Sequence, residues 1–352
     1  MKALDYYKYF DIDEELEDFE NIPSIRNLPR RKVRPGAKKA SPKDEQASQQ
    51  AAIEIKGQVE GHEDFNFSYQ ASRHEETWLL QSLDSFHDGR WIADVLHLVK
   101  GGKEASVYLC TPQRAVHHKR PYLAAKVYRP RMLRNLRKDH LYREGRTDLD
   151  IEGRTILDDG MLHAMRQKSA YGQELLHTSW IGHEFKTMQI LHEAGVDVPT
   201  PYASASNAIL MDYIGHPDLP APTLNTVRLD ADEARRLLDR VLWNIERMLA
   251  KNRVHGDLSA YNILYWEGQI SLIDFPQAID PQENRNGYRI FARDVARICE
   301  YFARQGAPSN PGRLAHDLWT ANGYRLQPEV HPRLLDDQDE GDRQYWKNLQ
   351  NN

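Results

Sequence analysis

The stretch Val254–Asp280, VHGDLSAYNILYWEGQISLIDFPQAID, sets three polar side chains at fixed offsets among apolar ones: Asp257, Asn262 and Asp274. A segment that served only a core would avoid them. ILY and QISLI flank Trp266-Glu267-Gly268 and read as a short hairpin. Asp257 follows a helix through a loop, Asn262 comes five residues later and Asp274 ends the hairpin's second strand, so a tight turn could bring all three to one edge. Asn262 and Asp274 offer hard oxygen ligands suited to Mg²⁺, which usually takes one or two protein ligands and fills its shell with phosphate and water. Asp257, left free of metal, can orient a hydroxyl or water and accept its proton. The competing reading is that Asp257 and Asn262 cap turns while Asp274 ends a strand. That suffices for any one of them but poorly for the set in this order.

Phosphate chemistry needs a cation on the opposite wall. Lys126 lies in the apolar strand AAKVY, where an unpaired ammonium would be costly. Glu184 has Ile181 three residues before it, Met188 four after and Leu191 seven after, which turns its carboxylate toward an inward helix face. If the two meet, each offsets the burial cost of the other, and Lys126 can reach the α- and β-phosphates of a nucleotide. A structural ion pair with no ligand is the competing reading. GGKEAS is neither G-x-G-x-x-G nor a P-loop, yet Gly101 and Gly102 permit backbone N–H groups to approach an anion, with Lys103 and Ser106 adding a charge and a hydroxyl.

The periodicity around these residues gives the fold class. LHLVK, SVYLC, YLAAKVY and SNAILMDYIG read as strands of a small antiparallel sheet. Thr178 or Ser179 is expected to cap a helix that ends at Gly195, before VDVPTP. Asp230 and Glu233 mark the start of a second helix, with Leu237, Leu238, Val241, Leu242, Ile245, Met248 and Leu249 at helical spacing. A last helix is expected over about residues 289–304. Strands first and helices later imply an α+β protein of two lobes, a sheet lobe over 76–214 and a helical lobe over 215–310, with a cleft between them.

Together GGKEASVY, AAKVY, HEF, HGDLSAYN and LIDFPQ resemble the motifs of the RIO family of atypical serine/threonine protein kinases, over roughly residues 80–305. HGD-x-x-x-x-N also occurs in aminoglycoside and choline phosphotransferases, whereas GKEA-x-VY with IDFPQ belongs to RIO proteins. The resemblance implies a protein-kinase-like fold that uses ATP and Mg²⁺. It implies Asp257 as the catalytic aspartate, Asn262 and Asp274 as metal ligands, and Lys126 with Glu184 as the nucleotide-positioning pair. Lys103 and Ser106 would fall in the phosphate loop, and Met211, Asp212 and Ile214 in a hinge that holds adenine by backbone bonds. It further implies Asp274 as the site of an aspartyl-phosphate. Asp274 is followed by Phe275-Pro276 rather than Phe-Gly and no A-P-E triplet follows, so the activation segment and peptide platform of ordinary kinases do not fit, itself a RIO trait.

The chain has 352 residues and a formal net charge of -5, which excludes a uniformly basic nucleic-acid coat. The charges are segregated: seven acidic residues over 11–20, then seven basic ones over 26–39. Such blocks predict a largely disordered N-terminal extension over 1–75, and DDQDEGDR a solvated tail within 311–352. Two cysteines provide neither a disulfide framework nor a zinc cluster, so a cytoplasmic setting is expected, with no membrane span. Residues 126–146 carry eight basic and two acidic residues. A solvated loop is one reading of this segment, and a contact for RNA or the small ribosomal subunit is the other.

The function expected from all of this is an ATP- and Mg²⁺-dependent serine/threonine kinase or ATPase acting on protein or on its own Asp274. The alternatives are a small-molecule phosphotransferase of the aminoglycoside or choline type, and an assembly factor switched by bound nucleotide.

Overall fold

The computed structural model describes residues 65–326, apart from 103, 114–120, 130–141, 143–144, 151–152 and 168. The described residues all belong to one compact unit, residues 62–352. Most of the basic segment 126–146, the first 64 residues and everything after 326 lie outside them.

Helix α1 (Arg73–Asp88) starts where the Ser72 N–H donates to the Glu75 carboxylate at 3.4 Å, half of a capping box. Its Leu79, Leu83 and Phe86, spaced four and three apart, are buried. Upstream, Phe65 stacks on His87 with ring centroids 4.5 Å apart, and the Tyr69 N–H donates to the Val95 carbonyl at 3.0 Å. The ordered lobe therefore starts before residue 76, which corrects the extension expected through residue 75. The charge blocks hid the apolar anchors Phe65, Phe67 and Tyr69.

Strands β1 (Ile92–Gly101), β2 (Ala105–Pro112) and β3 (Leu123–Tyr128) are followed by helices α2 (Asp159–Gln167) and α3 (Ala170–Glu193), then by β4 (Pro201–Ser204) and β5 (Ala208–Asp212). The five strands form one antiparallel sheet in the order β1-β2-β3-β5-β4. Strand alternation divides its two faces. Leu123, Ala125 and Val127 of β3 pack with Ala208 and Leu210 of β5 in the core that also holds α1. Ala124 and Tyr128 face the other way, with Ile209, Met211 and the α3 residues Trp180, Ile181 and Met188. Lys126 shares the phase of Ala124 and Tyr128, so the strand period itself aims it at α3. Helix α3 is capped nine or ten residues before the expected Thr178 or Ser179: Ser169 is its cap, accepting the Gly172 N–H at 3.1 Å. The Ser179 hydroxyl instead accepts the Leu149 N–H at 2.9 Å, a tertiary bond that local sequence does not announce.

The helical lobe follows a two-strand ribbon, β6 (Gly215–His216) and β7 (Leu219–Pro220). Helix α4 (Ala231–Leu249) starts as expected at Asp230, whose carboxylate accepts the Asp232 and Glu233 N–H groups at 3.0 and 2.8 Å. Strands β8 (Ile263–Trp266) and β9 (Gln269–Leu272) are joined by Glu267 and Gly268, both with positive φ (50° and 79°), the signature of a tight twisted hairpin. Helix α5 (Gly287–Arg304) follows, and then α6 (Pro311–Ala321). The last lies where a tail was expected. Asn310 accepts the Arg313 N–H at 3.0 Å, and Trp319 is buried against Phe291 with centroids 5.2 Å apart. The pattern Leu314-Ala315 and Leu318-Trp319 carried that amphipathic signal.

A polar hub ties the two lobes together. The Arg240 guanidinium donates to both Asp197 carboxylate oxygens at 2.6 and 2.7 Å, and the buried Asn244 side chain donates to the same carboxylate at 2.8 Å. Asn244 Oδ1 accepts the Asp197 N–H at 2.9 Å, and the Asp197 carbonyl accepts the Leu272 N–H at 2.7 Å. Asp197, four residues past the end of α3, is thus bonded to α4 and to the end of β9. Asn244→Ala leaves a buried amide and a carboxylate oxygen without these partners, and is expected to lower stability by about 1–3 kcal/mol. The shift in denaturation midpoint at unchanged slope measures it.

Candidate active site

Between the α3 face of the sheet and the β8–β9 hairpin lies a cavity of about 570 Å³. Its walls are largely apolar, including Met188, Met211, Leu264 and Ile273, while Lys126, Glu184, Asn262 and Asp274 gather at one end. Asp212 and Ile214 line it at the exit of β5. A deep apolar slot ending in a few convergent polar groups is the usual form of a small-molecule site.

Lys126 Nζ donates to Glu184 Oε1 at 2.7 Å and to Asp274 Oδ1 at 2.6 Å. Glu184 is 1% exposed, Lys126 11% and Asp274 38%. Glu184 has two further donors: the Phe275 N–H at 3.3 Å on Oε1, and the buried Tyr128 hydroxyl on Oε2. Burial pushes the Lys126 pKa down, but Asp274 and Glu184 outweigh it and hold the ammonium above its ordinary value. Burial likewise pushes Asp274 up, yet Lys126 beside it leaves its carboxyl below the usual range. Burial raises the Tyr128 phenol well above its usual value and the Glu184 charge adds to it, so Tyr128 keeps its proton and donates it to Glu184. Asp274 adopts left-handed backbone (φ 73°), which turns the chain between β9 and Phe275.

The loop that carries Asp257 is held at each successive residue. His255 Nδ1 accepts the Asp257 N–H at 3.3 Å, which puts the ring proton on Nε2, donating to the Ile273 carbonyl at 3.1 Å. Gly256 has φ +85°, and a Cβ there would lie 2.1 Å from the Gln277 carbonyl oxygen, so only glycine fits. Its N–H donates to buried Asp294 of α5 at 2.8 Å, and its carbonyl accepts Arg293. Burial raises the Asp294 carboxyl, with Arg293 opposing that shift. Asp257 Oδ1 accepts Arg297 at 2.9 Å, and its Oδ2 accepts Asn262 Nδ2 at 3.1 Å. Asn262 Nδ2 also donates to the Asp257 carbonyl at 2.8 Å. With its amide nitrogen committed to Asp257, Asn262 offers Oδ1 to a cation, and Asp274 adds a carboxylate: an all-oxygen pair that fits Mg²⁺.

Of the residues expected at the site, Lys126, Glu184, Met211, Asp212, Ile214, Asn262 and Asp274 line one cavity, and Asn262 links Asp257 to it. Lys103 lies outside the described residues. Ser106 is a correction. Strand alternation puts Ala105 and Val107 on the cavity and turns Ser106 to the α1 side, where it is buried and accepts Arg129 Nη2 at 3.3 Å. The Gly102 N–H closes the turn onto the Ala105 carbonyl at 2.9 Å, and a Cβ there would come within 2.7 Å of that oxygen. The Asp212 carboxylate accepts Tyr202 at 2.6 Å, and the Ile214 carbonyl accepts the Ala221 N–H at 3.1 Å. Sequence reasoning missed Tyr128, Arg293, Asp294 and Arg297. Tyr128, two residues after Lys126, was findable from the strand period. The α5 trio gave only one hint, charged residues set among the apolar Phe291, Val295 and Ile298.

The pKa directions give a test. Because Asp274 is held below its unfolded value (about 3.9 for an ordinary aspartate), its contribution to stability is present above that pH and is lost as pH falls through the lower folded value. Lys126→Met removes the charge that holds it down and leaves burial alone, which raises the carboxyl. The variant is expected to be less stable than the wild type at neutral pH and to recover part of the difference on acidification toward pH ~5. Melting temperature against pH for the two proteins checks the reversal.

The RIO domain family matches residues 115–313. Among curated relatives, the RIO-type serine/threonine-protein kinase Rio1 of Thermoplasma acidophilum is 30% identical over 135 residues, covering 38% of this chain and 69% of that one. Its namesake in Methanocaldococcus jannaschii is 26% identical over 233 residues, 66% of this chain and 70% of that one. The human serine/threonine-protein kinase RIO1 is 32% identical over 127 residues, 36% of this chain and only 22% of its own length. Among solved structures, the Rio2 kinase from Chaetomium thermophilum aligns with a TM-score of 0.48 at 17% identity, over 100% of this chain and 97% of that one. The matched segment takes up more than half of the chain and contains Lys126, Glu184, Asp257, Asn262 and Asp274; the chain belongs to the RIO domain family.

Proposed function

We propose that this protein is an ATP- and Mg²⁺-dependent phosphotransferase of the RIO type, a serine/threonine kinase or ATPase. The observation that carries this reading is Lys126, bonded at once to Glu184 and Asp274 at the polar end of an apolar cavity. The apolar walls suit a purine, whose edge the backbone of Met211, Asp212 and Ile214 would read. Lys126 keeps Glu184 and exchanges Asp274 for phosphate oxygens. Asn262 Oδ1 and the Asp274 carboxylate would hold Mg²⁺, which neutralises charge on those oxygens. Asp257 orients the acceptor hydroxyl: its oxygen attacks the γ-phosphorus, its proton passes to the Asp257 carboxylate, and the bond to ADP breaks. Buried Cys110 and Cys299 fit a reducing compartment such as the cytoplasm. The basic segment 126–146 is offered as a contact for RNA or the small ribosomal subunit.

Asp257→Ala is expected to lower turnover of labelled ATP by roughly 10²–10⁴-fold while nucleotide still binds. Turnover equal to that of the wild type would remove Asp257 from the chemistry.

A second acceptor is favoured by one observation. The Asp274 carboxylate lines the cavity beside Lys126, and only Phe275–Asn286 separates it from α5, little chain with which to grip a peptide. In this reading an Asp274 oxygen attacks the γ-phosphorus, ADP leaves, and water later hydrolyses the acyl phosphate. Labelled protein is then expected to lose its phosphate to hydroxylamine and to carry the label at Asp274. Label that survives hydroxylamine on serine or threonine would leave only the hydroxyl-acceptor reading.

A further inference from the structure

The protein-kinase catalytic loop reads H-R-D, with an arginine directly before the catalytic aspartate. Here that position is Gly256, and its positive φ and the closeness of the Gln277 carbonyl admit no side chain. From His255 to Asn262 the loop contains no lysine or arginine. The cations come instead from α5. Arg293 and Arg297 stand one helical turn apart on one face, with Asp294 beside them. Arg293 and Asp294 hold the carbonyl and N–H of Gly256, and Arg297 reaches one residue further, to Asp257 Oδ1 at 2.9 Å.

We propose that Arg297 is a positioning residue for Asp257, fixing the plane of its carboxylate from the side opposite Asn262. The proposal rests on the phosphotransferase reading above. Asp257 is 43% exposed and stands on a loop, so without a restraint its side chain would exchange rotamers with solvent. Arg297 on Oδ1 and Asn262 on Oδ2 remove that freedom. An ionised carboxylate has about four lone-pair sites, so two remain for the hydroxyl it must orient. The guanidinium stays charged while Asp257 takes the proton, so it restrains the base without competing for that proton.

Exposure separates this role from a structural one. Arg297 is 33% exposed, and ion pairs at such exposure add little to stability. Geometry is different, because a displacement of ~1 Å at a reacting group can cost on the order of 10²-fold in rate. Arg297→Ala is therefore expected to lower kcat by roughly 10–100-fold, with KM for ATP and melting temperature close to those of the wild type. Arg297→Lys should retain part of the rate, and added guanidinium ion at millimolar concentration should restore part of it to the alanine variant. In an Asp257→Ala background, Arg297→Ala should cost nothing further. Wild-type kcat in Arg297→Ala, a loss that guanidinium does not reverse, or full additivity with Asp257→Ala overturns the proposal. If the wild type itself neither binds nor turns over ATP, the phosphotransferase reading fails first and this one with it. Wild-type turnover with an indifferent Arg297 overturns this inference alone.

Discussion

The structure turns on one ammonium. Lys126 stands in a strand between the buried Ala124 and Tyr128, and its charge is tolerable there only because two carboxylates meet it, Glu184 from α3 and Asp274 from the end of β9. Three elements distant in sequence are thereby fixed to a point within hydrogen-bond distance of each other. The arrangement is also unforgiving. Without the ammonium, two carboxylates face each other unpaired, and without both carboxylates the lysine carries uncompensated charge. Packing reinforces the contact on both sides. Tyr128 lies two residues along the strand and Trp180 four residues back along the helix, and their rings meet edge-on with centroids 5.1 Å apart. The period of a strand and the turn of a helix therefore bring a polar pair and an aromatic pair into register together.

A kinase-like site needs its strand lysine, helix glutamate and metal-binding aspartate in place at once, a condition that ordinary kinases control through the activation segment. Here Lys126, Glu184 and Asp274 are held together by contacts within the core. Glu184 is held by donors from β3 and from Phe275, and the Asp197 hub bonds the exit of α3 to both α4 and β9. Phe275 is itself buried against His255, with ring centroids 4.7 Å apart. The short connection from Asp274 to α5 leaves the loop around Asp257 to be positioned by that helix, through Asp294, Arg293 and Arg297. Glu184, Asn244 and Asp294, buried at these junctions, each have hydrogen-bond partners, as buried polar groups require.

Much of this was legible in the sequence. The apolar strand AAKVY called for a partner to the Lys126 ammonium, the 3-4 spacing around Glu184 turned its carboxylate to an inward helix face, and Asp230 announced the start of α4. Those signals are local, because strand and helix periods are properties of neighbouring residues. The spacing of Asp257, Asn262 and Asp274 also sufficed to place them together, because a two-residue hairpin leaves little freedom between them. Only the tertiary structure decided the rest. Ser106 sits one residue out of phase with the cavity, a difference set by strand register and not by the motif around it. Ser179 caps nothing because its hydroxyl is taken by a residue thirty positions earlier in the chain, and Arg297 meets Asp257 across forty. Contacts at such separations are selected by how helices and loops pack, so no window of sequence contains them; what the sequence determined by itself was local period and close spacing, and what the fold decided was strand register and which distant side chains meet.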